Sequence, residues 1–275
     1  MQNPGQTTNI SMPAPTLLVR CPPGREPERA YAARVVLRDL LGLDCEVLHE
    51  AREDWLVEVP GGGVSLPDVF FPGADSRWLT PESVPGPELA RWEPGPLAEA
   101  AGTGRAEVPV VFGAPEADAD TPLPVDVFGS AFFLLTRYEE FALDERDGFG
   151  RFPAGASLAA RAGFLDRALA DEYARLLLAA LSREAPGLPR PGRAGGERRT
   201  HDVDVPLYWA NATPRVLRRE VLRALRSGRP AAAAGMALRF ALARLGVHAS
   251  DPYDTFDALM DLSERAGVAS AFYCT

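Results

Sequence analysis

Lysine is missing altogether: the 29 basic residues of this 275-residue chain are all arginine. That excludes amine nucleophiles and Schiff-base chemistry on a lysine side chain. Beside the abundant alanine it reads as a coding bias rather than a functional signal. Cysteine is scarce too. Cys21, Cys45 and Cys274 are odd in number, widely spaced and without a Cys-x-x-Cys pair, which argues against a disulfide framework or a cysteine zinc site and fits a reducing compartment. Histidine occurs only at His49, His201 and His248, so no His-x-x-x-His pair exists in these residues. Positive charge is in deficit, with a net charge of −9, and a general nucleic-acid binder would need a basic face instead. Long apolar runs are absent. The most apolar helical stretch, "AAAAGMALRFALARLG" (231–246), carries Arg239 and Arg244 and is too short for a transmembrane segment. The first residues lack the charged start, apolar stretch and cleavage site of a signal peptide. The "GGG" at 61–63 has no phosphate-loop lysine and no Gly-x-Gly-x-x-Gly follows a strand, so nucleotide binding has no support. These absences lead us to expect a cytoplasmic protein that binds no nucleic acid.

What is present is a 46% hydrophobic chain, enough for a real core and long for one domain. "TLLVRC" (16–21) reads as a strand, and Ala33, Val36, Leu37, Leu40 and Leu41 recur at helical spacing before Gly42. "CEVLHE", "DWLVEVPGGG", "GVSLPDVFF" and "AEVPVVFG" read as further strands, and residues 72–104 as a connection of undetermined order. Helical patterns then take over at 124–143 and 163–184; the latter places Leu165, Leu169, Tyr173, Leu176, Leu177 and Leu181 on one stripe. "APGLPRPGRAGG" (185–196) breaks all periodicity. We therefore expect an N-terminal α/β domain over 1–190, helical in its second half (124–184), and a second unit over 191–275. That unit runs strand, helices, strand, with Asp254 as helix N-cap and Gly267 as stop, which is the opening of a parallel βαβ fold. The overall class is α/β.

The chemistry-bearing stretch is "RTHDVDV" (199–205). Strand alternation sends Thr200, Asp202 and Asp204 to one face and His201, Val203 and Val205 to the other. The two carboxylates then sit on Cα atoms ~6–7 Å apart. Two unpartnered anions side by side are costly, so a cation between or beside them is implied. The competing reading is a strand end neutralised by Arg198 and Arg199 in a surface ion-pair cluster, worth little. Acids at the C-terminal end of a strand that opens a βαβ unit occupy the place where (β/α) barrels put their chemistry.

"RRTHDVDVP", "DPYDTFDALMDLSERAGVASAFYCT" and "FGSAFFLLTRYEEF…GFGRF" together resemble the polysaccharide deacetylase (NodB-homology) family, in a bacterial branch with an extra N-terminal domain. The resemblance covers residues from about 125 onward. It implies a (β/α) deacetylase barrel, of which residues 191–275 would be an incomplete first portion, and metal-dependent removal of an acyl group from an N-acylated sugar or related amide. The family motif is Thr-Phe-Asp-Asp-Gly, its first aspartate the general base and its second a ligand of a divalent metal, usually zinc. Carried across, Thr200 matches the threonine and Asp202 the base. Val203 stands where the metal-binding aspartate belongs, and Asp204, one residue later, takes its place as metal ligand. His201 replaces the phenylalanine, as an orienting or core residue or as an added ligand. The His-x-x-x-His half of the site is missing from the 76 residues between Thr200 and Thr275, so these residues alone are not expected to be active. The ending inside a strand suggests a longer protein. The alternative is a non-catalytic carbohydrate- or partner-binding protein that kept the fold without the metal.

Two further clusters stand out. In "TRYEE" (136–140), Arg137 and Tyr138 adjoin a very apolar run and are expected to make an interdomain or substrate contact, whereas Glu139 and Glu140 read as a solvated helix end. Arg215, Arg218, Arg219, Arg223, Arg226 and Arg229 could meet a polyanionic glycan or membrane surface. Interleaved Val216, Leu217, Val221 and Leu225 favour an ordinary amphipathic helix with its arginines outward.

Overall fold

A computed structural model describes residues 16–113, 122–188, 196–247 and 251–274. His248, Thr275 and most of the Pro/Gly-rich stretch at 189–195 lie outside the described residues. The chain divides into two compact units, Met1–Gly192 and Arg193–Thr275. Both are mixed α/β with open sheets.

The first unit is organised by β1 (Leu17–Cys21), whose alternation buries Leu17, Val19 and Cys21. Gly24 and Arg25 both take left-handed backbone angles, φ 85° and 58°, and turn the chain into α1 (Glu26–Arg34). A π-helical segment, Val35–Leu40, continues it and buries Val36 and Leu37. β2 (Cys45–His49) returns parallel to β1, while β3 (Asp54–Val59) and β4 (Gly62–Pro67) form an antiparallel hairpin on the other side. The sheet order is β2-β1-β3-β4.

Next come α2 (Phe70–Ala74), the small antiparallel pair β5 (Ala90–Trp92) and β6 (Val108–Val110), and α3 (Pro96–Ala101) between them. α4 (Val127–Leu135), α5 (Tyr138–Ala142), α6 (Leu158–Arg161) and α7 (Leu169–Glu184) complete the unit. α7 lays Leu169, Tyr173, Leu176, Leu177 and Leu181 against the core. Leu165 departs from the expected stripe: it lies in the turn before α7 and is 61% exposed.

Two local departures share one cause. The strand expected through Phe71 stops at Pro67, and Phe70 begins a helix instead. The backbone N–H groups of Val69 and Phe70 both donate to Asp126 Oδ2, each at 2.9 Å. Oδ1 of the same carboxylate accepts from Gly129 N at 2.8 Å and caps α4. One buried aspartate thus starts two helices. At Gly129 a Cβ would stand 2.6 Å from that of Phe70, so the close approach of α4 to α2 requires glycine. Phe70 and Phe71 in turn join Trp55, Phe128, Phe132 and Tyr138 in an aromatic core.

In the second unit, β7 (Arg198–Val203) pairs in parallel with β8 (Ala269–Cys274), Thr200 opposite Ala271 and Asp202 opposite Tyr273. α8 (Tyr208–Asn211), α9 (Pro214–Arg226), α10 (Pro230–Arg244) and α11 (Phe256–Arg265) connect them. Thr213 caps α9 through Val216 N at 3.3 Å. Thr255, not Asp254, occupies the N-cap position of α11, and Gly267 turns the chain after it with φ 66°. Trp209, Ala212 and Ala243 form the small core that α8 and α10 share. The pair β7–β8 is an open parallel sheet, not a closed barrel. Among the described residues no helix is long and apolar enough to cross a membrane.

Candidate functional site

β7 places its side chains by simple pleating. Thr200 and Asp202 are exposed, whereas His201 and Val203 on the other face are half-buried. The strand ends at Val203, and Asp204 follows as an exposed residue in a bend. The alternation lapses there, since Val205 is 44% exposed. Asp202 and Asp204 therefore flank the C-terminal end of a strand whose parallel partner lies beside it. Both residues are exposed.

His201 is used differently. Its ring lies on that of Phe272 across the parallel pair, centroids 4.6 Å apart and planes 16° from parallel. Its Nε2 is buried and has no hydrogen-bond partner among the described residues. Phe256 of α11 packs edge-on against the same Phe272, so His201 belongs to the layer between strand and helix.

No group of three or more His, Cys, Asp or Glu side chains comes together to hold a metal ion among the described residues. The two carboxylates fall short of a full coordination set by themselves.

Near the same strand end, Asp251 shows what a buried carboxylate does in this unit. It accepts from the backbone N–H groups of Tyr208 and Trp209 at 2.8 and 2.7 Å, fixing the start of α8. Arg137 and Tyr138 lie in the first unit. Tyr138 is buried; its hydroxyl accepts from Leu79 N at 2.6 Å and shares a hydrogen bond with Ser83 Oγ at 2.9 Å. Arg137 is exposed, left-handed at φ 55°, and paired with Glu140. The left-handed turn is what breaks the helical run expected over 124–143. Glu139 also differs from a solvated helix end. Its carboxylate accepts from Leu158 N at 2.7 Å, and burial pushes its carboxyl above the usual range.

Sequence reasoning missed a charged network in the first unit. Arg29 of α1 is only 2% exposed; its Nη2 meets Asp68 Oδ2 at 2.7 Å and its Nε donates to Gly24 O at 2.7 Å. Asp68 Oδ1 accepts from Trp55 Nε1 at 3.1 Å. The Arg29 guanidinium also stands over the rings of Phe71 and Trp55. Beside it, Cys21 Sγ lies 3.3 Å from His49 Nδ1 at the adjoining ends of β1 and β2. Burial pushes that thiol up to about 11, which keeps it protonated and a poor nucleophile. Asp126 is fully buried, and burial with the nearby Asp68 charge lifts its carboxyl to about 7 against three opposing backbone hydrogen bonds. The one signal in the sequence for this network is an arginine at a position of α1 shared with the buried face.

The fold and these sites define an α/β protein with a mixed four-stranded first unit and a parallel β-helix-β second unit. Residues 17–186 match a family of unknown function, DUF7033, and the chain belongs to that family. No curated protein and no solved structure matches the chain.

Proposed function

We propose that the second unit carries part of the active site of a metal-dependent amide hydrolase resembling the polysaccharide deacetylases. The observation that carries this reading is the placement of Thr200 and Asp202 on the open face of β7, with Asp204 just past its C-terminal end. In this reading Asp202 is the general base and takes the proton of an attacking water. Asp204 is the carboxylate that meets a divalent cation, zinc being the family's usual ion, and a bound ion of that kind would supply carbonyl polarisation and an acidified water. Thr200 and His201 support the strand end from its two faces. Among the described residues these carboxylates alone do not complete the set. The substrate is a glycan or N-acylated sugar, and the compartment is the cytoplasm.

The test is acetate release from N-acetylglucosamine oligomers by the full-length polypeptide. Asp202→Asn, which keeps shape but removes the base, is expected to lower the rate at least 100-fold with the protein still folded. An unchanged rate overturns the assignment. Sugar binding without any hydrolysis in the wild type favours the non-catalytic carbohydrate-binding alternative.

A further inference from the structure

We propose that the first unit holds a second, separate binding site for an uncharged polyhydroxylated ligand, a mono- or disaccharide, in the cleft at the C-terminal end of β1. The cleft has a volume of about 570 Å³, within the range of small-molecule sites (~300–1,000 Å³). Its walls include Pro23 and Pro72, and its floor is the Arg29–Asp68 pair.

The ligand class follows from what the floor and rim still need. Arg29 offers a planar fork of which two edges are used, Nε on Gly24 O and Nη2 on Asp68. Its Nη1 is buried and has no hydrogen-bond partner among the described residues. A buried unpaired donor of this kind costs ~1–3 kcal/mol, and more when charged, so the position calls for an acceptor oxygen. The acceptor is not set by charge alone, because Glu53, Asp68 and Asp75 line the same cleft beside Arg29 and Arg52. With Arg25 paired to Asp75 and Arg29 to Asp68, the charges around the cleft nearly cancel and give a phosphate or carboxylate ligand no net attraction. An ammonium ligand would meet the carboxylates but leave Arg29 Nη1 facing a cation. Hydroxyl groups both donate and accept, and satisfy the two kinds of group together. Planar charged side chains of mixed sign suit vicinal hydroxyls, which they bind in pairs.

The backbone around the cleft is held in a costly shape. Gly24 and Arg25 both sit at left-handed φ angles, and at Arg25 this costs about 1–2 kcal/mol. Arg25 is anchored by Asp75 at 3.2 Å and lies 4.1 Å from the centre of the Trp78 ring. The turn thereby brings Gly24 O to Arg29 Nε and leaves the buried Nη1 as the fork's unpaired edge.

This site is independent of the β7 reading, and one titration separates them. Full-length protein is titrated calorimetrically with glucose, N-acetylglucosamine, cellobiose and chitobiose, and with inorganic phosphate and glucosamine as charged controls. At least one of the four neutral sugars is expected to bind saturably. Glu53→Gln, at an exposed rim position where folding is not at stake, and Arg52→Ala, which also gives up the bonds of Arg52 to Asp54, should each weaken it about tenfold. Arg29→Met should abolish it, and Asp202→Asn should leave it unchanged. Failure of all four sugars to bind overturns the proposal, as does retention of full affinity in both rim variants. Phosphate binding in place of sugar makes the cleft an oxyanion site and also overturns it. Loss of sugar binding in Asp202→Asn assigns the sugar to β7 instead.

Discussion

A double-mutant cycle on Arg29 and Asp68 tests the energetics of the first unit. Both side chains are almost fully buried, 3% and 0% exposed, and meet at 2.7 Å. Removing one partner leaves the other charge uncompensated in the core, at a cost of about 3–5 kcal/mol. Arg29→Met and Asp68→Asn should therefore each destabilise by that amount. The double variant removes both charges, and the introduced asparagine keeps a carbonyl for Trp55 Nε1, which donates to Asp68 at 3.1 Å in the native protein. Its main residual loss is the Arg29 Nε bond to Gly24 O, about 1 kcal/mol or somewhat more. The double variant should thus be more stable than either single one, with a coupling energy of about 5 kcal/mol at the lower end of the single-variant losses. Urea unfolding followed by tryptophan fluorescence reads this, because Trp55 contacts both groups. Additive losses within ~0.5 kcal/mol would refute the buried-pair account.

Other outcomes follow from single groups. Asp126 has its folded-state carboxyl raised from 3.8 to about 7, so between those values the folded state holds the proton that the unfolded state releases. Its contribution is complete below about pH 4 and lost as pH rises to 7, worth about 4 kcal/mol. The stability difference between wild type and the non-titrating Asp126→Asn should fall across that window and be flat above pH 8. A difference that rises with pH contradicts the burial-dominated carboxyl. Tyr138→Phe leaves Leu79 N and Ser83 Oγ without the hydroxyl and should cost about 1–3 kcal/mol in urea unfolding; a neutral result denies it that role. His201→Phe keeps the stack on Phe272 and removes a buried nitrogen with no partner. It should leave stability equal or up to about 1 kcal/mol higher, with zinc content unchanged. Loss of zinc would make His201 a ligand.

Elements whose burial is set by their own periodicity were legible from residues alone. β1, β3 and α7 expose or bury side chains as alternation and helical spacing require, and β7 does so through Val203. Features set by distant groups were not. The helix at Phe70–Ala74 starts because Asp126, 57 residues from Val69, accepts its N–H. Arg29 resembles a surface residue of a short helix until Asp68, 39 residues away, and the aromatic rings close over it. Local pattern carries no record of such pairings. Of the site at β7, the open face of Thr200 and Asp202 follows from strand pleating, whereas the strand's end at Val203 and the bend at Asp204 break the alternation that placed Asp204 on the same face.

The most direct test of the account is the divalent-metal content of the purified full-length polypeptide, measured by elemental analysis for the wild type and for Asp204→Ala. The exposed position of Asp204 makes this substitution nearly neutral for folding, so metal loss reports ligation. The account predicts about one zinc per wild-type chain and a loss of most of it in Asp204→Ala. Equal zinc in both proteins, or none in the wild type, contradicts a metal-dependent hydrolase site at the end of β7.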